Sequence, residues 1–121
     1  MNKLLISVVI PLYNKEKTIE QSLNSVLLQK GCEFEVVVVD DGSTDNSVEQ
    51  VKMINNPKIK LVSQPNGGPG AARNTGAQAA NGDWLVFLDA DDELLPDALK
   101  GFADAILAHP DVDIFDANKY I

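Results

Sequence analysis

The feature that most constrains this chain is an alternation of two hydrophobic periods. Residues 4–10, 34–39, 59–62 and 84–88, with a weaker fifth run at 112–115, are short apolar stretches rich in β-branched side chains and almost free of polar alternation. Such runs read as strands buried on both faces. Between them the period changes. Ile19, Leu23, Val26 and Leu27 recur at i, i+4, i+7 and i+8, and Leu99, Phe102, Ala103, Ile106 and Leu107 repeat the pattern, with Pro96 suited to the first turn of that later helix. Val48, Val51 and Ile54 mark another helix behind the Asp41-Gly42-Ser43-Thr44-Asp45 turn and its candidate caps. Small residues from Ala71 to Ala80 suit a helix packed close to a sheet. The order βαβαβαβα predicts an α/β fold with a mostly parallel sheet, right-handed crossovers and helices on both faces.

With 121 residues there is room for one domain, and neither a repeat nor an interdomain linker interrupts it. Ten basic against eighteen acidic residues give a net charge of -8, which argues against nucleic acid as a partner. No apolar run approaches the roughly 18 residues that a membrane-spanning helix needs. The single cysteine, Cys32, cannot form an internal disulfide, and a reducing compartment fits it.

In an open parallel α/β sheet, ligands bind beyond the carboxyl ends of the strands, near the point where strand order reverses. The unusual polar residues occupy that edge. Pro11-Leu12-Tyr13-Asn14 closes the first strand, Asp40-Asp41-Gly42-Ser43 the second, and Asp89-Ala90-Asp91-Asp92 the fourth. Two carboxylates about 5 Å apart at an effective dielectric near 20 repel by roughly 3 kcal/mol. A hard divalent cation offsets that repulsion well, and Mg²⁺ typically takes one or two carboxylates plus phosphate oxygens. Asp89 and Asp91, one residue apart, can point to the same side of a strand end, with Ala90 small enough to turn inward. The plainer reading of these acids is a solvated turn leading into an acidic helix N-terminus, and for Asp92 and Glu93 it competes evenly.

Other candidates on the rim are Asp41, which could accept a base N–H or merely cap a turn, Tyr13, which could stack on a base, and Arg73, which could neutralise a diphosphate. The loop Gln64-Pro65-Asn66-Gly67-Gly68-Pro69-Gly70 resembles a phosphate cradle, but no Gly-Lys-Ser/Thr follows, so it is not a Walker A loop. A Gly-x-Gly-x-x-Gly turn is also missing behind the first strand, against a dinucleotide oxidoreductase. His109, before Pro110, reads as a helix C-terminal residue.

Four motifs taken together, Ser7-Val8-Val9-Ile10-Pro11-Leu12-Tyr13-Asn14, Val38-Val39-Asp40-Asp41-Gly42-Ser43-Thr44-Asp45, Gly70-Ala71-Ala72-Arg73-Asn74-Thr75-Gly76 and Phe87-Leu88-Asp89-Ala90-Asp91-Asp92, resemble the family 2 glycosyltransferases of the GT-A fold, a Rossmann-like architecture. The resemblance implies a nucleotide-sugar donor, usually a UDP-sugar, held with Mg²⁺ or Mn²⁺, and sugar transfer to an acceptor hydroxyl with inversion, as in polysaccharide biosynthesis. It implies that Pro11, Tyr13 and Asp41 line the base, that Asp89 lies near ribose and metal, that Asp91 of the Asp-x-Asp motif ligates the metal, and that Arg73 joins the donor site. Family members are longer and carry the acceptor site and the general base in their C-terminal half. Residues 1–121 are therefore expected to be a donor-binding portion, inactive alone, with its catalytic base beyond Ile121. Sugar, acceptor (saccharide, lipid-linked or protein) and oligomeric state stay open, and a cytoplasmic location, peripheral to the membrane in the full-length protein, is the expectation.

Three other readings compete. A phosphoacceptor signalling domain would need paired acids behind the first strand, where Leu12, Tyr13 and Asn14 stand. A noncatalytic nucleotide-sugar binding module would differ only in lacking a downstream base. A nucleotidyltransferase would want a glycine- and lysine-bearing loop after the first strand, for which Lys15 and Lys17 substitute poorly.

Overall fold

A computed structural model describes residues 4–109 and 111. Eight elements alternate along it: β1 (Leu5–Leu12), α1 (Ile19–Leu27), β2 (Glu33–Asp40), α2 (Ser47–Ile54), β3 (Ile59–Ser63), α3 (Pro69–Ala79), β4 (Trp84–Phe87) and α4 (Ala98–Ala108). The weak run at 112–115 lies outside the described residues. All strand pairs are parallel, and the sheet order is β3-β2-β1-β4. That order separates the molecule from the flavodoxin-like order 2-1-3-4-5 of phosphoacceptor domains, in which the third strand sits beside the first.

Every second residue of β1 and β2 (Ile6, Val8, Ile10, Leu12; Phe34, Val36, Val38) packs beneath α1, α2 and α4 through Ile19, Leu23, Val26, Val51, Leu99, Phe102 and Ala103. The opposite face, Val9, Val37 and Val39, is covered by α3 through Ala72. α3 seats this closely because Gly76 has no side chain: a Cβ there would stand 2.2 Å from Val9 Cγ1. Helices thus cover both faces, three on one side and one on the other.

Among the described strands, burial on both faces holds for β1 and β2 alone. β3 is covered only in part and has no fully buried residue, β4 alternates between covered and exposed positions, and Leu85 and Phe87 of β4 are exposed because α3 packs on β1 and β2 in the middle of the sheet. Two helix details also differ from expectation. Pro96 lies ahead of α4 rather than in its first turn, before an Asp97 N-cap in the left-handed region (φ 63°), and Leu107 is 71% exposed instead of joining the apolar face.

β1 leads to β2 and β3 on one flank, whereas β4 lies on the other flank of β1. The reversal point is therefore the crevice beyond the carboxyl ends of β1 and β4. The register pairs Leu12 with Asp40 and Val9 with Phe87, which brings Asp41 and Asp89 up on either side of Pro11 and Tyr13.

Candidate functional site

A cleft of ≈ 580 Å³ opens at this reversal point. Pro11, Tyr13, Asp41, Arg73, Asp89 and Asp91, drawn from four separate motifs, all line it, together with Lys15, Asn66 and the start of α3. Tyr13 is 46% exposed and offers its ring to the opening.

One wall is built on Asp41. Its carboxylate is almost entirely buried and accepts from Gln64 Nε2 (2.9 Å), Gly67 N (2.8 Å) and Gly68 N (2.9 Å), with Asn66 Nδ2 more distant at 3.5 Å. Burial alone would raise this carboxyl group's pKa, but the hydrogen bonds from Gln64, Gly67 and Gly68 outweigh it and hold the group below its ordinary value. The glycine-rich loop therefore wraps a carboxylate of its own chain, and Pro69, directly after, starts α3. Gly42 completes the wall at φ 79°, where a Cβ would approach Asn66 N to 2.9 Å. Gln64 is braced in turn by the Thr75 hydroxyl on α3.

The opposite wall is the acidic loop after β4. Ala90 turns into the core, 3% exposed, and Asp89, Asp91 and Asp92 point the other way, each with one carboxylate oxygen within 4.8 Å of those of the others. Burial first, then the charges of Asp91 and Asp89, push the Asp92 carboxyl up. Among the described residues the other two meet cations only loosely: Lys15 Nζ stands 3.8 Å from Asp91 Oδ2 and Arg73 Nη2 3.8 Å from Asp89 Oδ1. A trio of hard oxygen donors this close together suits Mg²⁺, Mn²⁺ or Ca²⁺ and does not suit a soft metal. α4 starts only at Ala98 and carries no acid in its first turn, so Asp92 and Glu93 are not a helix N-terminus.

α1 fixes the acidic loop from behind. Thr18 Oγ1 and Ser22 Oγ lie 2.9 and 2.8 Å from the Ala90 carbonyl oxygen, and Ser22 Oγ is also 2.5 Å from that of Asp92. Ser25 Oγ accepts from Leu94 N, and Gln29 joins Leu95 O to Leu99 N. Sequence reasoning missed this stripe. Its signal was visible: Ser22, Ser25 and Gln29 fall at i, i+3 and i+7, on a helix whose apolar positions had already claimed the core side, and polar groups there need partners. The loop after β1 is tied as firmly to that after β2, through Asn14 N to Ser43 Oγ, Thr44 N to Asn14 Oδ1 and Lys15 N to Ser47 Oγ.

Comparison with known proteins bears on the family and the fold. The family model described as glycosyl transferase family 2 matches residues 7–121. The succinoglycan biosynthesis protein ExoO of Rhizobium meliloti is 42% identical over 115 residues, covering 92% of this chain and 33% of that protein. The structure of Staphylococcus aureus TarS residues 1–349 in complex with UDP-GlcNAc superposes with a TM-score of 0.82 at 41% identity, covering 87% of this chain and 32% of the other. The mannosyltransferase PcManGT from Pyrobaculum calidifontis, in complex with GDP-Man and Mn²⁺, gives 0.79 at 29% identity, covering 88% and 33%. The chain spans about a third of ExoO, of TarS residues 1–349 and of PcManGT, and 20% of the longer TarS structure. With the family model matching nearly the whole sequence and the fold that of GT-A glycosyltransferases, the chain belongs to glycosyl transferase family 2.

Proposed function

We propose that this chain binds the nucleotide-sugar donor, a UDP-sugar, for a metal-dependent glycosyl transfer that inverts the anomeric centre, and that it does not transfer sugar by itself. The observation that carries the reading is the convergence of Pro11, Tyr13, Asp41, Arg73, Asp89 and Asp91 on one cleft at the reversal point of the sheet. The bound UDP-GlcNAc of TarS and the GDP-Man and Mn²⁺ of PcManGT support the ligand class.

In this reading Pro11 and Tyr13 form the apolar floor on which the base lies, with Tyr13 stacking on it. Asp41 Oδ2 accepts the base N–H by giving up its loosest partner, the 3.5 Å contact from Asn66, while Gly67 and Gly68 stay bound. Asp91, with Asp89 beside it toward the ribose, holds Mg²⁺ or Mn²⁺, and Arg73 adds positive charge at the diphosphate. When bound, the divalent cation stabilises the negative charge that builds on the departing diphosphate.

Calorimetric titration with UDP, GDP and dTDP, each with and without Mn²⁺, tests the reading. The expected result is a preference for UDP and at least tenfold weaker binding without metal or in Asp91→Ala. Equal affinity with and without Mn²⁺ would sink the metal role, and transfer of sugar to a defined acceptor by residues 1–121 alone would sink the donor-only role.

A further inference from the structure

Resting on that reading of the cleft, we infer that Lys15 is an exchangeable counter-ion: it neutralises Asp91 while the site holds no cation and moves to the donor's diphosphate when the metal arrives. Lys15 belongs to none of the residues through which the family resemblance assigns a donor role. It lines the same cleft, and Nζ reaches Asp91 Oδ2 at 3.8 Å, too far for a hydrogen bond and close enough for a charge contact.

The backbone beneath it is fixed. Asn14 turns the chain through the left-handed region (φ 49°), Lys15 N–H donates to Ser47 Oγ at 2.9 Å, and the Lys15 carbonyl accepts from Thr18 N and Ile19 N at 3.1 and 2.9 Å. With the main chain held on both sides, the side chain alone is free to move. It is 44% exposed, on a four-carbon stem with a charge that points anywhere. Arg73 sits over Asp89 in the matching position across the cleft, also at 3.8 Å.

Charge balance supplies the reason for an exchange. The three acids carry three negative charges, and Lys15 and Arg73 return two. A divalent cation ligated by Asp91 replaces the lysine there and frees it. The donor diphosphate then brings two further negative charges, which the metal alone does not balance against three carboxylates. A flexible ammonium a few ångströms away fills that role. An exposed pair of this kind is weak, so it does not block the metal strongly and gives way readily.

The two halves of the exchange predict opposite signs for one substitution. In Lys15→Ala, Mn²⁺ alone, followed by the loss of its free-ion paramagnetic resonance signal, should bind about two- to fivefold more tightly, because a competitor for Asp91 is gone. UDP binding in the presence of saturating Mn²⁺, followed by calorimetry, should weaken about tenfold, because a charged phosphate partner is gone. Lys15→Arg should restore most of the UDP affinity. A merely structural lysine would move both affinities the same way or neither. The lysine's role is overturned if Lys15→Ala binds UDP as the unmodified chain does, or if Mn²⁺ and UDP affinity fall together. If the unmodified chain shows no Mn²⁺-dependent UDP binding at all, the reading of the cleft itself fails, and this assignment with it.

Discussion

The two walls of the cleft are both built on aspartates behind buried strands, yet they are opposite in kind. Asp41 is sealed in and its carboxylate is surrounded by donors from Gln64, Gly67 and Gly68. Asp89 and Asp91 are exposed, crowded against Asp92, and meet cations only at 3.8 Å. A carboxylate that accepts from Gln64, Gly67 and Gly68 is holding its own chain in place, whereas carboxylates crowded together with cations only at 3.8 Å gain most from a cation that arrives later, as proposed above. In the proposed reading the first wall holds its own loop and spares one acceptor position for the base, and the second is a socket for a cation.

The contrast can be broken first at Asp41. Asp41→Ala leaves the part-buried N–H groups of Gly67 and Gly68 and the Gln64 amide without their acceptor, and even at the lower end of the about 1–3 kcal/mol that an unpaired group costs, three such losses add up. We expect a destabilisation of about 3 kcal/mol or more, read as a lower urea midpoint with an unchanged slope. A midpoint within error of the unmodified chain would mean that the loop does not depend on this carboxylate.

Acid titration gives a smaller effect of known sign. At Asp45, as at Asp41, burial raises the carboxyl pKa but is outweighed, here by hydrogen bonds from Ser47 Oγ and N and from Glu16 N, so both groups sit below their ordinary value. An unfolded carboxyl, near about 3.9, therefore takes up its proton at higher pH than the folded one. The stability these groups supply is complete above that value and is lost as pH falls through the folded pKa. Urea midpoints measured at neutral pH and at about pH 3 should drop on acidification, and Asp45→Asn should drop less. Equal drops in the two proteins would remove Asp45 from the account.

The smallest effect on stability belongs to the socket. Asp91→Ala should lie within about 0.5 kcal/mol of the unmodified chain, on the stabilising side, because it removes a repelling charge and no hydrogen bond that holds the loop. A loss of several kcal/mol would make the acidic loop architectural like the other wall.

These two walls were not equally legible in the sequence. Asp89 and Asp91 could be singled out because their crowding is local, and Ala90 between them announced which way each side chain turns. The core of β1 and β2 was legible for the same reason: an uninterrupted Val and Ile run has one physical reading. The role of Asp41 as the anchor of the glycine loop was not legible, since its partners Gln64, Gly67 and Gly68 lie 23 to 27 positions away and meet it only after β3 has been laid beside β2. The exposure of Leu85 and Phe87 was hidden likewise, because an apolar run does not say which helix fails to reach it. Pro96 misled through a sound propensity: it fits a first helical turn, but Asp97 in the left-handed region separates it from α4.

Crystals grown with UDP and Mn²⁺ would reveal whether the acids closing β4 grip a cation shared with the donor diphosphate, as proposed. Anomalous diffraction at the manganese edge should show one peak between Asp91 and the diphosphate oxygens, with the base against Tyr13. UDP seated in the cleft with no manganese peak at the acidic loop would contradict it.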